Sequence, residues 1–409
     1  MTIRLNRWAV TAGAVLALIL FFLVGGLAGY LYAHERGIGT TTAALPVDTG
    51  KGDKSREDRW KPFWQTYDLI KKEYYGRPVD EQKLIDGAAE GMVQSLGDPY
   101  TSYLPPQQNE EAREELRGRF EGIGVYVDVK DKQFVIVAPI DGSPAAEAGL
   151  KRGDIILAVN GKSIAGMDQQ DVIRMIRGPK NTTVLLTIKR GNQKPFDRKV
   201  RRDEIEVPQV TYKRVDGNIG YIDVNIFGDQ TTPELDAALK RAQQDKVKGI
   251  ILDLRDNGGG WVEAARNMVG RFLPDGVVMY EDKTRGPGGE EALNVLKGDV
   301  EAYKTPLVVL VNKGTASASE IVSGALQARH RATLVGDVTF CKGSEQLVHT
   351  LEGGSSAHIT VAHWLTPAKV DIHGKGLRPN LVVKTSANDV EDSGPQFQRA
   401  LTTLRAEIK

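Results

Sequence analysis

The chain has a single cysteine in 409 residues, Cys341, which excludes an internal disulfide and any cysteine-rich zinc site. It has no excess of either charge. Lys and Arg number 54 against 53 Asp and Glu, so there is no concentrated basic surface of the kind nucleic acid requires. Phosphate-binding loops are missing too: no G-x-x-x-x-G-K precedes a Ser or Thr, and no G-x-G-x-x-G follows a strand pattern. The histidines are badly spaced for metal. His349, His358, His363 and His373 lie in β-rich or turn stretches, and His358 and His363, five apart in a strand pattern, face opposite sides. Nothing here calls for a metal or an organic cofactor, and no internal repeat is present.

Long apolar runs occur at one place. Arg4 and Arg7 precede an uncharged stretch, residues 8–33, long enough to cross a bilayer as a helix. The positive flank favours a cytoplasmic N-terminus and an extracytoplasmic body. We therefore expect a signal-anchor membrane segment over residues 1–36; the alternative is a cleaved signal peptide and a secreted protein. Residues 37–55 are small, polar and aperiodic, the composition of a linker.

Three patterns follow. Residues 56–116 form a helical region with two apolar stripes. One is Trp60, Phe63, Trp64, Tyr67, Leu69 and Ile70; the other is Leu84, Ile85, Ala88, Met92 and Leu96. The aromatic stripe suits a core or a self-association face. Residues 117–205 alternate short β-rich runs (125–129, 134–137, 155–159, 183–190) with turns and short helices at 145–149 and 168–176. Over residues 206–390 strand and helix alternate. The strands are expected at 219–226, 249–254 and 307–312, and a β-rich stretch at 332–340. The helices are expected from Thr232, as N-cap before Pro233, to Gln244, and at 261–272 and 318–329. That rhythm predicts an α/β core with parallel pairing, whose sites gather at the carboxyl ends of strands. The polar stretch after Ser386 reads as one exposed helix, with a tail over residues 391–409.

The chemistry concentrates in Lys313–Gly314–Thr315–Ala316–Ser317–Ala318–Ser319–Glu320, between an apolar strand and a helix. Ser317 sits at the junction, and the Ala318 N–H beside it is an unpaired donor at the positive end of the helix dipole. A serine hydroxyl needs a base, and Lys342 qualifies if burial lowers its pKa from about 10.4. Most lysines are simply solvated, so this pairing is a hypothesis. His330, at the far end of the same helix, lies about three turns from Ser317, too far for a triad. The Gly258, Gly259 and Gly260 run, at the end of another strand, would let a backbone N–H approach an oxyanion; its plain alternative is a tight turn.

Four ordered segments resemble the carboxy-terminal processing proteases, tail-specific serine peptidases of the tricorn-related class. They are Gly97–Asp98–Pro99–Tyr100–Thr101, Gly142–Ser143–Pro144–Ala145 with Gly149–Leu150–Lys151–Arg152–Gly153–Asp154, Leu254–Arg255–Asp256–Asn257–Gly258–Gly259–Gly260, and Thr315–Ala316–Ser317–Ala318–Ser319–Glu320 with Thr339–Phe340–Cys341–Lys342–Gly343. The resemblance runs from about residue 60 to 383. It implies an α/β and α+β multidomain chain, with a PDZ β-sandwich or barrel inserted ahead of an α/β protease core of the ClpP and crotonase kind. Ser317 then matches the nucleophile, Lys342 the general base and Gln346 the residue that holds the lysine. Ala318 and Gly259 match the oxyanion hole, while Ser319 and Glu320 read as helix N-terminal groups. Gly122–Ile123–Gly124–Val125 resembles the PDZ loop that captures a C-terminal carboxylate beside a strand edge. Implied partners are proteins with accessible C-terminal tails and, through the N-terminal span, the membrane; a homodimer or regulatory partner is left open.

The chain departs from the family at Cys341, where relatives usually carry glycine. A cysteine is strained there if φ is positive, but the favoured expectation is a small residue that fits a plain strand. A second hypothesis is that oxidation of Cys341 disturbs Lys342. Residues 366–370 and Asn380 also depart, in strand contacts away from the dyad. Two rivals remain: a PDZ scaffold whose protease body has decayed, opposed by the retained Ser317, Lys342 and Gln346, and a crotonase-like acyl-CoA enzyme, opposed by the membrane segment and the insert.

Overall fold

The computed structural model describes residues 55–130, 132–140, 142–283, 288–384 and 393–408. The apolar run at 8–33 lies outside these, as does the linker apart from Ser55. Among the described residues no helix is long and apolar enough to cross a membrane. Contacts divide the chain into two compact units, Met1–Ile85 and Asp86–Lys409.

In the first unit, helix α1 (Arg56–Glu73) starts where Ser55 Oγ accepts the Asp58 N–H at 3.2 Å. Glu57 and Asp58 in its first turn, and Lys71 and Lys72 in its last, suit the helix dipole. Its aromatic rings meet edge to face, Trp60 on Phe63 and Trp64 on Tyr67. Yet the helix buries no residue and Trp64 is 57% exposed, so the stripe is not a core. Helix α2 (Glu81–Gln94) likewise has no fully buried residue.

The region expected to be helical to residue 116 is interrupted. Strand β1 (Ser102–Leu104) precedes helix α3 (Pro106–Arg117), which ends at Gly118 with φ 67°. β1 exists because it pairs with a strand some 250 residues on, a partner no local pattern reveals.

The insert opens with β2 (Arg119–Gly122) and continues through β3 (Val125–Lys130), β4 (Gln133–Pro139), α4 (Pro144–Glu147), β5 (Ile155–Val159), β6 (Lys162–Ser163), α5 (Gln169–Ile176), β7 (Thr183–Lys189), β8 (Phe196–Arg201) and β9 (Asp203–Glu206). β3-β4-β5-β7-β8 form one antiparallel sheet around Ile136, Ile156, Val172, Leu186 and Ile188. The entering and leaving strands, β2 and β9, pair with each other and close the neck.

The remaining elements are β10 (Val210–Val215), β11 (Ile219–Val224), α6 (Thr231–Gln244), β12 (Gly249–Asp253), α7 (Val262–Phe272), β13 (Val277–Asp282), β14 (Glu290–Asn294), β15 (Leu307–Val311), α8 (Ala318–Ala328), β16 (Thr333–Gly336), β17 (Ser344–Thr350), β18 (Ser356–Leu365), β19 (Leu381–Val382) and α9 (Gly394–Glu407). The central sheet runs β10-β11-β12-β15-β16-β19, parallel except for β10 against β11. Every residue of β12 and β15 is buried, as a strand covered on both faces requires. Ile222, Leu252 and Val309 pack with α6, α7 and α8, while Tyr221, Ile251, Val308 and Leu310 pack with α9. A second sheet runs β1-β18-β13-β14, with β17 paired to β18.

Three expectations change. α6 starts at Thr231 rather than after Thr232, because the Thr231 hydroxyl is committed to the preceding loop: it accepts the Gly228 N–H at 2.8 Å and donates to Gln209 Oε1 at 2.8 Å. β16 stops at Gly336, so Lys342 stands in a loop and not after a strand that reaches residue 340. The C-terminal helix is not exposed. It buries Phe397, Ala400, Leu401 and Leu404, and Phe397 meets the Tyr221 ring edge-on at 5.8 Å.

Phe397→Ala should therefore destabilise the chain by about 3–5 kcal/mol, the cost of emptying a buried aromatic site. Denaturant unfolding measures it. A loss within about 0.5 kcal/mol would return α9 to the surface.

Candidate active site

β12, β15 and β16 are neighbours in the sheet, so three loops leave it side by side at their carboxyl ends. These are the glycine loop 254–260, the turn 312–317 and the lysine loop 337–343. Asn312 ties the first two together. Its Oδ1 accepts the Asp256 N–H and the Gly314 N–H, each at 2.9 Å, and its Nδ2 donates to Asp256 Oδ1 at 3.0 Å. The Asn257 carbonyl then accepts the Ala316 N–H at 2.9 Å and the Ser319 hydroxyl at 3.0 Å. At Gly259 the loops nearly touch: a Cβ there would stand 2.7 Å from Ser317 Cβ, so no larger residue fits.

Ser317 is half-buried with φ 54° and ψ −116°, a conformation that costs about 1–3 kcal/mol in a residue other than glycine. It stands as N-cap to α8, and the Ala318 N–H beside it belongs to the first turn, which has no helical acceptors.

Glu320, fully buried, organises the rest. Its Oε2 accepts the Ser317 N–H at 3.0 Å and the Lys342 N–H at 2.9 Å. Its Oε1 accepts the Thr339 hydroxyl at 2.5 Å and the Cys341 N–H at 2.9 Å. Four donors satisfy a carboxylate that would be prohibitive to bury alone. One oxygen thus joins the backbone of the serine turn to that of the lysine loop.

Burial pushes the Lys342 amine below its ordinary range, against the opposing pull of the Asp98 and Glu320 charges. Its Nζ lies 5.5 Å from the centroid of the Tyr100 ring. His358 is also held down, by burial first and then by the Lys342 charge, and its Nε2 lies 3.1 Å from Ser356 Oγ. His363 stacks on His373 at 4.3 Å, and His373 meets Tyr100 edge-on. No histidine hydrogen-bonds Ser317 among the described residues.

Some expected partners are engaged elsewhere. Gln346 Nε2 donates to Ser344 Oγ and Thr360 Oγ1, each at 3.0 Å, because β17 sets Gln346 opposite Thr360 in register. It does not reach Lys342. The Gly259 N–H donates to Asn257 Oδ1 at 2.9 Å, so this donor is occupied although its residue lies against Ser317.

Cys341 is not a small residue in a strand. Its φ is 84°, the left-handed region that favours glycine. Burial first, and then the Glu320 charge, pushes its thiol up, and Sγ lies 3.3 Å from the Thr339 carbonyl. A protonated, engaged thiol offers little thiolate, which weakens the oxidation hypothesis.

In the insert, Gly122 ends β2 in register with Asp203, and Ile123 is 1% exposed in the core. The Ile123 carbonyl accepts the Ala145 N–H, and the Gly124 carbonyl accepts the Ile140 N–H and the Ser143 hydroxyl. Because the peptide is planar and trans, the Gly124 and Val125 N–H groups point the opposite way. They stand at the head of β3, which is an edge strand.

Sequence reasoning passed over Asp98, Tyr100 and the second half of Glu320's role. Glu320 at the third position of a helix was a visible capping signal. Its bonds to Cys341 and Lys342, more than 20 residues away, were not.

A Peptidase family S41 model matches residues 218–383, a PDZ domain model residues 135–190, and an Activating protease CtpB N-terminal domain model residues 22–108. The chain is 40% identical over 332 residues to the carboxy-terminal processing protease CtpA of Bacillus subtilis (strain 168), covering 81% of this chain and 70% of the relative. It is 39% identical over 329 residues to the carboxy-terminal-processing protease of Bartonella bacilliformis, covering 79% and 74%. A solved S41 protease from Bacteroides fragilis NCTC 9343 shares the fold, with a TM-score of 0.55 over 85% of this chain and 98% of that one, at 15% identity.

Glu320→Gln leaves one acceptor oxygen for four donors. Each donor left unpaired should cost about 1–3 kcal/mol. Labelling of Ser317 by a fluorophosphonate should slow about tenfold or more, the effect of 1.4 kcal/mol at the barrier. Labelling at the wild-type rate would show that the carboxylate does not align the two loops. At Cys341 thermal melts should rank Gly equal to or above Cys, and both above Val, since a β-branched residue tolerates positive φ least. A Val variant as stable as wild type would contradict that strain.

Proposed function

The chain belongs to peptidase family S41 as a carboxy-terminal processing serine protease with a PDZ domain, and we propose that Ser317 and Lys342 are its catalytic dyad. The observation that carries this reading is the shared Glu320 oxygen, which holds the two backbones together while the lysine amine is buried.

Neutral Lys342 takes the Ser317 hydroxyl proton onto Nζ as Oγ attacks the scissile carbonyl carbon. The new oxyanion meets the Ala318 N–H at the positive end of α8. Gly259 supplies the second donor by exchanging Asn257 Oδ1 for the substrate oxygen. The tetrahedral intermediate collapses, the Lys342 proton goes to the departing amine, and an acyl-Ser317 remains. Lys342, neutral again, deprotonates a water that attacks the acyl carbon, releasing the acid and restoring the hydroxyl. Gln346 acts one step removed, through the Ser344 hydroxyl at the start of β17 and the Thr360 hydroxyl opposite it in β18.

Substrate delivery falls to the PDZ domain. The outward Gly124 and Val125 N–H groups receive the terminal carboxylate, and the outer edge of β3 pairs with the extended tail. Gly122 and Ile123 shape that loop from within. The proposed layout is a membrane span at 1–36 and a linker to 55, then the helical region 56–116, the PDZ domain 117–205, the protease core 206–390 and a terminal segment 391–409. This sets the active site outside the cytoplasm, where it would meet the tails of extracytoplasmic proteins.

Ser317→Ala and Lys342→Ala should each reduce turnover of a protein with an unstructured C-terminal tail by several orders of magnitude, with circular dichroism unchanged. In the wild type, kcat/KM should fall as pH drops through the lowered Lys342 pKa, because protonation removes the base, so the acid limb lies below about 10.4. A purified variant of either residue that still cleaves the substrate would refute the assignment.

A further inference from the structure

Lys342 is bordered by a segment that precedes the PDZ domain in sequence. β1 joins the second sheet through Ser102 opposite His358 in β18. Just ahead of it, the Asp98 carboxylate accepts the Tyr100 N–H at 3.0 Å on Oδ1 and the Thr101 hydroxyl at 2.6 Å on Oδ2. Thr101 Oγ1 in turn accepts the Thr360 N–H at 3.1 Å, and the Thr360 hydroxyl accepts the Gln346 amide. A chain of hydrogen bonds therefore runs from Asp98 to the strand that follows the lysine loop. It fixes the turn from which the Tyr100 ring faces Nζ of Lys342 at 5.5 Å, its edge backed by His373 at 5.7 Å.

We propose that Asp98 and Tyr100 are positioning residues for Lys342: the Tyr100 ring shuts water from the amine, and the Asp98 carboxylate sets both the ring and the local field. This rests on the reading of Lys342 as the general base. Among the described residues, the charges of Asp98 and Glu320 act on the amine, the Tyr100 ring faces it, and His358 feels its charge. Of these, Asp98 and Glu320 favour the protonated lysine, while burial disfavours it more strongly. Asp98 itself is pulled down despite partial burial, by the Thr101 and Thr360 bonds and the Tyr100 N–H, so it carries its charge at neutral pH. The ring also offers its π face to a cation, a contact worth about 0.5–1 kcal/mol where solvent reaches it, smaller than the desolvation it imposes. The protease core is thus completed by residues on the far side of the insert.

The test is the pH profile of kcat/KM on a tailed protein substrate, with the full chain. Asp98→Asn keeps an acceptor for the Tyr100 N–H but removes a charge that favours the protonated amine, so the acid limb should move to lower pH. Tyr100→Ala admits water to Nζ and should move the limb the other way, with kcat falling. Tyr100→Phe, which keeps the ring, should restore the wild-type limb. A purely structural role would scale activity by one factor at every pH. Limbs that stay at the wild-type position while Lys342→Ala is inactive would overturn this inference alone. Activity retained by Lys342→Ala would overturn the dyad on which it rests.

Discussion

A single buried carboxylate, that of Glu320, sets the geometry on which the active site depends. Serine and lysine stand 25 positions apart on loops that leave different strands, and neither loop has a regular backbone to hold it. Glu320 links them through the amides of Ser317, Cys341 and Lys342 and the hydroxyl of Thr339. A neutral acceptor with one oxygen would satisfy only part of that set. The carboxylate satisfies all four donors, and they compensate its burial.

The scaffold beneath is a parallel sheet covered on both faces, so strands β12, β15 and β16 have almost no freedom to shift. Local strain is tolerated above them. Ser317 and Cys341 both take positive φ, together costing several kcal/mol on the usual scale of about 1–3 each. The offset comes from the same bonds that bring the Ser317 turn and the Lys342 loop together, since the amides of both strained residues end on Glu320. Strain and alignment therefore share one origin. A mutation that releases the carboxylate loosens the Ser317 turn and the Lys342 loop at once, and with them the proposed nucleophile and base.

Much of this was legible in the chain. Alternation and turn residues located most insert strands and all the strands of the central sheet that carry the loops of the candidate site. The apolar run 249–254 and the run 307–312 read as buried strands because nothing polar interrupts them. What failed was non-local. β1 is three residues long and exists through its pairing with β18; α9 is polar in composition, but one stripe holding Phe397, Leu401 and Leu404 meets the sheet. The expected Gln346 contact gave way to cross-strand register. Cys341 was misjudged because positive φ leaves no trace in a sequence when the residue there is not glycine. Ser317 and Lys342 were picked out by position as the proposed dyad. Asp98 and Tyr100 were present in a recognised motif, but nothing about the spacing shows that the segment folds back across the insert to the lysine.

The central claim is that the fold presents Lys342 as a buried amine that loses its proton below the pH at which lysines ordinarily do. Carbon-13 NMR of enzyme labelled at the lysine ε-carbons titrates each amine directly. One resonance should titrate below the ordinary lysine value of about 10.4, and it should be missing from Lys342→Ala. Lysines that all titrate together in the ordinary range would contradict the account.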